Sequence, residues 1–419
     1  MSSAPRVFLG AEEVVTVTGP PRARRGHEMR DISVRRDCAI AVDGERIVAV
    51  DSSARVREQF PRAGVVDCAG AVLTPGLIDS HTHAVFGAGR YAEHELRATG
   101  VPYLEIAKQG GGIHASVRDL RARSEQDLLA LARPRLARTI QSGVTTLEIK
   151  SGYGLDAESE LKTLRVVNTV AKESPLRIVP TFLGAHEIPL ELRNRDGGRN
   201  EYIEQLCRVM MPAIAREKLA AFADVFCEPG VYTVDETRRI LEAARALGLG
   251  LKLHADELEN SGGAQLAASL GATSADHLAA ISDEGITALA ASETVATLLP
   301  ATMLFLGRER QAPARKLLER GAAVALATDF NPGTSPLNNL GIVMTLGVSA
   351  LRMTVAETIT AVTANGAAAL GLARETGQLA PGYAADIALW DVRDHREIAY
   401  WFGERLCKAS WRRGKPCLG

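Results

Sequence analysis

The sequence predicts an α/β protein: a (β/α)8 TIM-type barrel joined to a second, small β-sandwich domain built from both chain ends. Three observations lead there. Between residues 75 and 364, eight short apolar runs alternate with longer amphipathic segments, the pattern of parallel strands and crossover helices. Each run ends in polar residues, and in a closed barrel those C-terminal strand ends share one face, where chemistry collects. Outside that alternation the chain opens and closes on β-rich sequence.

In order, short β-like runs at 14–17, 38–42, 46–50 and 65–68 come first, with Asp43-Gly44 as a hairpin turn signal. The Pro-, Gly- and Arg-rich stretch 19–37 reads as a loop, and its Arg22, Arg24 and Arg25 as a solvated cluster. After Thr74-Pro75-Gly76 the barrel pattern begins. Its strands are 77–81, ending in His81; 144–149 before Lys150-Ser151-Gly152-Tyr153; 178–183 before Gly184-Ala185-His186; and 223–226 before Cys227-Glu228. The second half has 250–253 before His254, 272–275 before Asp276-His277, 294–299 before Pro300, and 323–327 before Thr328-Asp329. Helical periodicity fills 157–171, 234–247 and 282–291. A β-like run at 385–391 is expected to pair with the N-terminal strands. Residues 1–74 plus 365–419 would then form the composite small domain, and 75–364 the barrel. Trp390, Trp401 and Trp411 all lie in the tail and read as core or interface anchors.

Composition narrows the function classes. Of 419 residues, 49 are basic and 50 acidic, a net charge of −1, so nothing points to nucleic acid or an anionic membrane. Hydrophobic residues at 46% and charged ones at 24% are ordinary for a soluble globular chain. No run approaches the ~20 apolar residues of a membrane span, and no secretory signal opens the chain. Six scattered cysteines without a C-x-x-C pair read as reduced thiols. The expectation is a cytoplasmic enzyme acting on a small molecule, with a homodimer the commonest assembly.

His81-Thr82-His83 ends the first strand, and side chains two apart on a strand share a face. A lone H-x-H also arises by chance, but His254 and Asp329 end two further strands of the same barrel. Three imidazoles and one carboxylate suit Zn2+ or Fe2+/Fe3+ better than Ca2+ or Mg2+. A second metal would need a bridging group from strand four, which ends in Cys227-Glu228 without a lysine. Glu228 therefore reads as structural and Lys150 as a surface or packing cation, leaving one metal. Such an ion makes water a nucleophile near neutral pH. Asp329 is placed to accept the proton, and His277 to hydrogen-bond the nucleophile or the developing oxyanion, unless it is a core histidine. Glu257, one turn past His254, can pass a proton to a substrate nitrogen, or can serve as a first-turn helix acid. Asp256 reads as structural. Which of Glu257, His277 and Asp329 takes the first proton stays open.

Six segments carry a resemblance: 75–83 (PGLIDSHTH), 143–154 (GVTTLEIKSGYG), 181–186 (TFLGAH), 251–257 (LKLHADE), 274–278 (SADHL) and 327–336 (ATDFNPGTSP). The first is common among amidohydrolases; SGYG, TFLGAH and DFNPGTSP together are far more specific. Over essentially its full length the chain resembles the imidazolonepropionases of the amidohydrolase superfamily. The resemblance implies metal-dependent hydrolytic ring opening of 4-imidazolone-5-propanoate to N-formimidoyl-L-glutamate in histidine degradation. It implies His81, His83, His254 and Asp329 as metal ligands, and Arg90, Tyr153, His186, Glu257, Asn331, Gly333 and Thr334 as substrate contacts. The chemistry agrees: Arg90 offers a bidentate fork to a propanoate tail, although a loop arginine in solvent is the plain alternative. Tyr153 and His186 present polar tips at two strand ends, and the 331–334 segment offers backbone and hydroxyl donors. Gly110-Gly111-Gly112 reads as a flap or as a static turn. The rival readings are a mononuclear cyclic-amidine deaminase of the cytosine or guanine type, which would release ammonia, and a non-catalytic scaffold on the same fold, which would have lost its ligands.

Overall fold

A computed structural model describes residues 4–101, 105–106 and 110–419. Leu77–Asp79, Val144–Lys150, Arg177–Ala185, Phe222–Cys227, Gly250–Ala255, Ser274–His277, Val295–Leu298 and Val324–Leu326 form one eight-stranded sheet in sequential order. All neighbours pair in parallel. The last strand returns to the first just beyond their ends: Thr82 bridges Phe330, the Asp329 N–H donates to the His81 carbonyl at 3.0 Å, and the His83 N–H to the Phe330 carbonyl at 2.8 Å. The barrel thus closes at the level of the candidate ligands.

Local chemistry explains the crossovers. Asp156 caps Ala157–Glu173 by accepting from the Ser159 N–H, and Ser282 caps Asp283–Ala290 through Gly285. Thr233 and Glu236 close a capping box at the start of Val234–Ala246. That last helix buries Thr237, Ile240, Leu241 and Ala244, the i, i+3, i+4, i+7 face that packs on the sheet. Within the second strand every residue is buried: Leu147 and Ile149 join the main core, while Glu148 and Lys150, two apart, pair with each other and with Lys252 and Asp224 from other strands inside the barrel.

Two sheets from the chain ends form the small β-sandwich. One has Arg46–Ser52, Cys38–Asp43, Arg6–Leu9 and Gly64–Asp67; the other has Lys415–Leu418, Cys407–Arg412, Ile387–Trp390, Val72–Pro75, Glu13–Val15 and Val34–Arg35. The tail does pair with the N-terminal part, Ile387–Trp390 lying antiparallel to Val72–Pro75. Phe8, Ile40, Leu73, Leu389 and Trp411 fill the space between the sheets.

One expectation needs correction. The 19–37 stretch holds a 3-10 helix, Gly26–Arg30, and its arginines are not a solvated cluster. Arg24 is buried: its guanidinium donates to the Val17 and Pro20 carbonyls, and its N–H donates to Asn365 Oδ1 at 2.7 Å. Arg25 donates to the carbonyls of Ala290, Ser292 and Gly321, so the segment is strapped onto the barrel, and Arg22 sits outside it, paired with Glu28. Of the tryptophans, Trp390 and Trp411 are buried, but Trp401 is 46% exposed. Among the described residues no helix is long and apolar enough to cross a membrane.

Candidate metal centre

Three triads of ligand-type atoms share His81, two of them at the cavity and the third, with Glu148 and Asp276, inside the barrel. The donor atoms of His81, His83 and Asp329 lie within 4.8 Å of one another, and so do those of His81, His254 and His277. Asp329 Oδ1 is 3.5 Å from Nε2 of both His81 and His83. The His254 ring lies 4.5 Å from that of His81 and 5.6 Å from that of His83. The H-x-H pair stands just past the strand end rather than on it, since the first strand stops at Asp79. Asp79 pins the closure by accepting from the Thr328 N–H at 3.0 Å and its hydroxyl at 2.6 Å. His277 and Asp329 both hold φ in the left-handed region, at 78° and 51°. Non-glycine residues seldom adopt it, and such strain, of order 1–3 kcal/mol each, collects at functional sites.

The donor set fits one divalent transition metal. His81 Nδ1 contacts Asp276 Oδ2 at 2.6 Å, and His254 Nδ1 lies 3.1 Å from Asp224 Oδ2. A carboxylate can only accept, so His81 Nδ1 carries the proton and its Nε2 presents a lone pair, whereas Asp224 holds His254 by accepting its backbone N–H on Oδ1 at 3.1 Å, the ring Nδ1 making no hydrogen bond among the described residues. Both Nε2 atoms are buried without a hydrogen-bond partner among the described residues, a costly state unless something else binds there. Burial, then the nearby cation Lys150 and neighbouring imidazoles, hold His81 well below its usual pKa; burial and His186 do the same for His83. Neutral imidazole is the form that ligates. Asp329 takes the Thr302 hydroxyl on Oδ2 at 2.7 Å, leaving Oδ1 toward the histidines. Burial raises its carboxyl to about 6, against the Thr302 hydrogen bond, a shift that a bound cation would reverse.

The centre floors a cavity of about 520 Å³. Arg90, Tyr153, His186, Glu257, Asn331 and Thr334 line it beside His83, His254, His277 and Asp329. Gly333 does not line it; it backs onto Arg90, whose guanidinium occupies the space a Cβ would need. Arg90 Nε lies 3.8 Å from Glu93 and is buried without a hydrogen bond among the described residues. His186 donates Nδ1–H to the Gly152 carbonyl at 3.1 Å, and burial, with His254 nearby, takes its pKa down to about 3. Its Nε2 is therefore an acceptor, not a cation. Tyr153 is carried by a loop wrapped around the buried Glu160, which accepts the N–H groups of Gly152, Gly154 and Leu155 at 3.1, 2.7 and 3.0 Å. Glu257 lies 3.6 Å from His277 Nδ1, and burial, then Asp329 and Glu228, raise its carboxyl well above the usual range.

The 331–334 loop differs from the expectation. The Gly333 and Thr334 N–H groups already donate to Asn331 Oδ1, at 2.8 and 2.7 Å, and Asn331 Nδ2 donates to Thr334 Oγ1 at 2.8 Å. Asn331 folds the loop on itself, and Thr334 keeps its own hydroxyl proton for the cavity. Glu228 accepts the N–H groups of Glu257, Leu258 and Glu259, and Asp256 those of Ser261, Gly263 and Ala264, so both carboxylates organise the turn that carries Glu257. Gly110 and Gly112 both have positive φ, and the Gly112 N–H donates to Glu93 at 3.0 Å, the geometry of a defined turn.

Lys150 is not on the surface. It is fully buried at the end of the second strand among Glu148, Asp224 and Asp276. Sequence reading passed over Asp224, Lys252 and Asp276 in this role. The signal was available: charged residues inside otherwise apolar strands, two apart in Glu148/Lys150 and in Lys252/His254.

Comparisons with known proteins agree with this geometry. The amidohydrolase family model matches residues 72–415, and the imidazolonepropionase-like composite domain of bacteria matches 39–63. The chain is 43% identical over 401 residues to the imidazolonepropionase of Bacillus velezensis, covering 96% of this chain and 94% of that one. It is 44% identical over 413 residues to the imidazolonepropionase of Symbiobacterium thermophilum, covering 98% and 96%. Among solved structures it resembles an adenosine deaminase from Xanthomonas campestris with bound zinc (TM-score 0.73, 19% identity, 99% and 92% covered). It also resembles a triazine hydrolase variant (TM-score 0.75, 17% identity, 99% and 95% covered), and these two likenesses speak to the fold alone. By its sequence, its nearly closed barrel and its histidine–aspartate cluster, the chain belongs to the imidazolonepropionase family of the amidohydrolases.

Proposed function

We propose that this chain opens the ring of 4-imidazolone-5-propanoate by hydrolysis, giving N-formimidoyl-L-glutamate, as a step of histidine degradation. One observation carries the reading: a single cavity holds a transition-metal donor set at its floor and the guanidinium of Arg90 at its side. His81, His83, His254 and Asp329 would hold the ion, zinc or iron. When bound, it supplies Lewis acidity, which polarises a carbonyl and makes water nucleophilic near neutral pH.

The reaction adds water oxygen to the ring carbonyl carbon and breaks its bond to the ring nitrogen, which leaves with a proton as part of the formimidoyl group. Arg90 holds the propanoate by charge-assisted hydrogen bonds, with the Thr334 hydroxyl beside it. Gly333 makes room for that guanidinium, and Asn331 fixes the loop that positions both. His186 Nε2 accepts from a ring N–H, and Tyr153 covers the ring from the neighbouring strand end. Glu257 and His277, in contact across 3.6 Å, relay the proton from water to the departing nitrogen, with Asp329 as the alternative first acceptor. In the same reading residues 1–74 plus 365–419 form the small domain and 75–364 the barrel, and the enzyme works in the cytoplasm as a homodimer without nucleic-acid partners.

A deaminase would use the same metal residues but does not need a half-buried cation at the cavity wall to hold a carboxylate. Product analysis separates the two: metal-loaded protein and imidazolone propanoate should yield formimidoylglutamate without ammonia. Ammonia release, or no consumption of the imidazolone by fully loaded protein, overturns the proposal.

A further inference from the structure

Beneath the candidate metal ligands lies a charged cluster inside the barrel. Glu148, Lys150, Asp224, Lys252 and Asp276 come from the second, fourth, fifth and sixth barrel strands, and all five side chains are fully buried. A barrel interior is ordinarily filled by branched apolar side chains. Three carboxylates and two ammonium groups there must be held by something more than packing.

Lys150 has a specific geometry. Its ammonium carries three N–H donors and meets three carboxylates: Asp224 Oδ2 at 2.7 Å, Glu148 Oε2 at 2.9 Å and Asp276 Oδ2 at 3.6 Å. Both aspartates reach the ligands, Asp276 by a hydrogen bond to the His81 ring and Asp224 by accepting the His254 backbone N–H on Oδ1 at 3.1 Å. Asp224 Oδ2 lies 3.1 Å from His254 Nδ1, and Asp276 Oδ2 lies 2.6 Å from His81 Nδ1. Lys252 is as buried but differently engaged. It donates to the Ser80 and Ala369 carbonyls at 3.3 and 3.1 Å, sits 3.4 Å from Glu148 and 3.9 Å from Asp276, and does not reach Asp224.

We infer that Lys150 is a positioning residue: one ammonium ties together the two carboxylates that aim His81 and His254, and so fixes the separation and direction of two metal ligands contributed by different strands. The inference rests on the metal-site reading above and deepens it. Without the cation, Lys252 still lies near Glu148 and Asp276, but Asp224 keeps no ammonium partner among the described residues, and nothing ties it to Asp276. Burial alone works against the charge on Lys150, yet Asp224, Glu148 and Asp276 carry its pKa above the ordinary lysine value.

The test compares Lys150→Met with Lys252→Met, a buried cation removed in each case. Zinc affinity is read by competition with a chromophoric chelator, and site geometry by the visible spectrum of the cobalt-loaded proteins. Lys150→Met should weaken zinc binding about 10- to 100-fold, the usual cost of losing a group that orients a ligand, and shift the cobalt bands. Lys252→Met should leave both near wild type even if it lowers the melting temperature as much. Wild-type affinity and spectrum in Lys150→Met, or equal losses in the two variants, overturn the inference. Should Lys150→Met not fold, Lys150→Met/Glu148→Gln removes a cation and an anion together and is read the same way. Wild-type protein that binds no metal refutes the metal-site reading instead.

Discussion

Placing a methyl group on Gly333 tests how the substrate is held without touching a charged side chain. The Gly333 Cα lies so close to Arg90 that a Cβ would overlap Nη2, Cζ and Nε of the guanidinium. Gly333 is not among the glycines with positive φ, so alanine adds no backbone strain at this position. Ordinary contact needs ~3.5 Å between the methyl carbon and the nearest atom, which obliges the guanidinium to move by roughly 2 Å. Charge-assisted hydrogen bonds contribute about 1.5–3 kcal/mol. If one of them is lost to that displacement, KM should rise roughly 10- to 150-fold at 1.4 kcal/mol per decade. Metal content and thermal stability should stay near wild type, since the histidines are untouched. The assay is steady-state loss of imidazolone absorbance for Gly333→Ala, Arg90→Met and the double variant. The double should be no worse than Arg90→Met, because both changes remove one interaction. A wild-type KM in Gly333→Ala, or additive effects in the double, would refute Arg90 as the carboxylate anchor.

Glu257→Gln should keep full metal content while turnover falls about 100- to 10,000-fold, the range for losing a general acid–base group; near-normal turnover removes Glu257 from the proton relay. Glu357 is buried, accepting from Arg315, Arg30 and the Thr354 N–H, and these contacts outweigh burial to hold its pKa below the ordinary 4.5. Its stabilisation is therefore present above pH 4.5 and lost as pH falls through the lowered folded value. Glu357→Gln should lower the unfolding free energy by about 2 kcal/mol near neutral pH, and the gap to wild type in urea melts should close in acid; a gap independent of pH contradicts this. Burial pushes the thiols of Cys68 and Cys407 up to about 12. Burial also takes the Cys417 thiol up, to about 11, so native protein at pH 8 should react with a disulfide reagent at the partly exposed Cys207 first, and rapid labelling of Cys68 or Cys407 would contradict the packing described.

The barrel was legible because its signal is repeated. Eight apolar runs with polar ends, such as 250–253 before His254, leave little freedom in topology once connections are right-handed and neighbouring. The small domain was harder. Arg6–Leu9 is four residues long and is specified by partners at 40–42 and 64–67, while Cys407–Arg412 mixes charges with apolar residues, so neither stands out locally. The ligand-type residues were legible as residue types at strand ends. What holds them was not: Lys150 looks like any cation after a strand, and its burial follows from Glu148, Asp224 and Asp276 meeting inside the barrel. The same limit applied to Arg24, whose partners Val17, Pro20 and Asn365 are supplied by the fold. The Asn331 loop shows a further case, in which donors named from sequence turned out to be used among themselves.

Anomalous diffraction from crystals of the purified protein, collected on both sides of the zinc and iron edges, addresses the metal centre directly. The expected result is one strong peak per chain, within bonding distance of His81 Nε2, His83 Nε2, His254 Nε2 and Asp329 Oδ1. Two peaks, or a single peak that leaves out His254 or Asp329, would contradict a mononuclear centre built from these four residues.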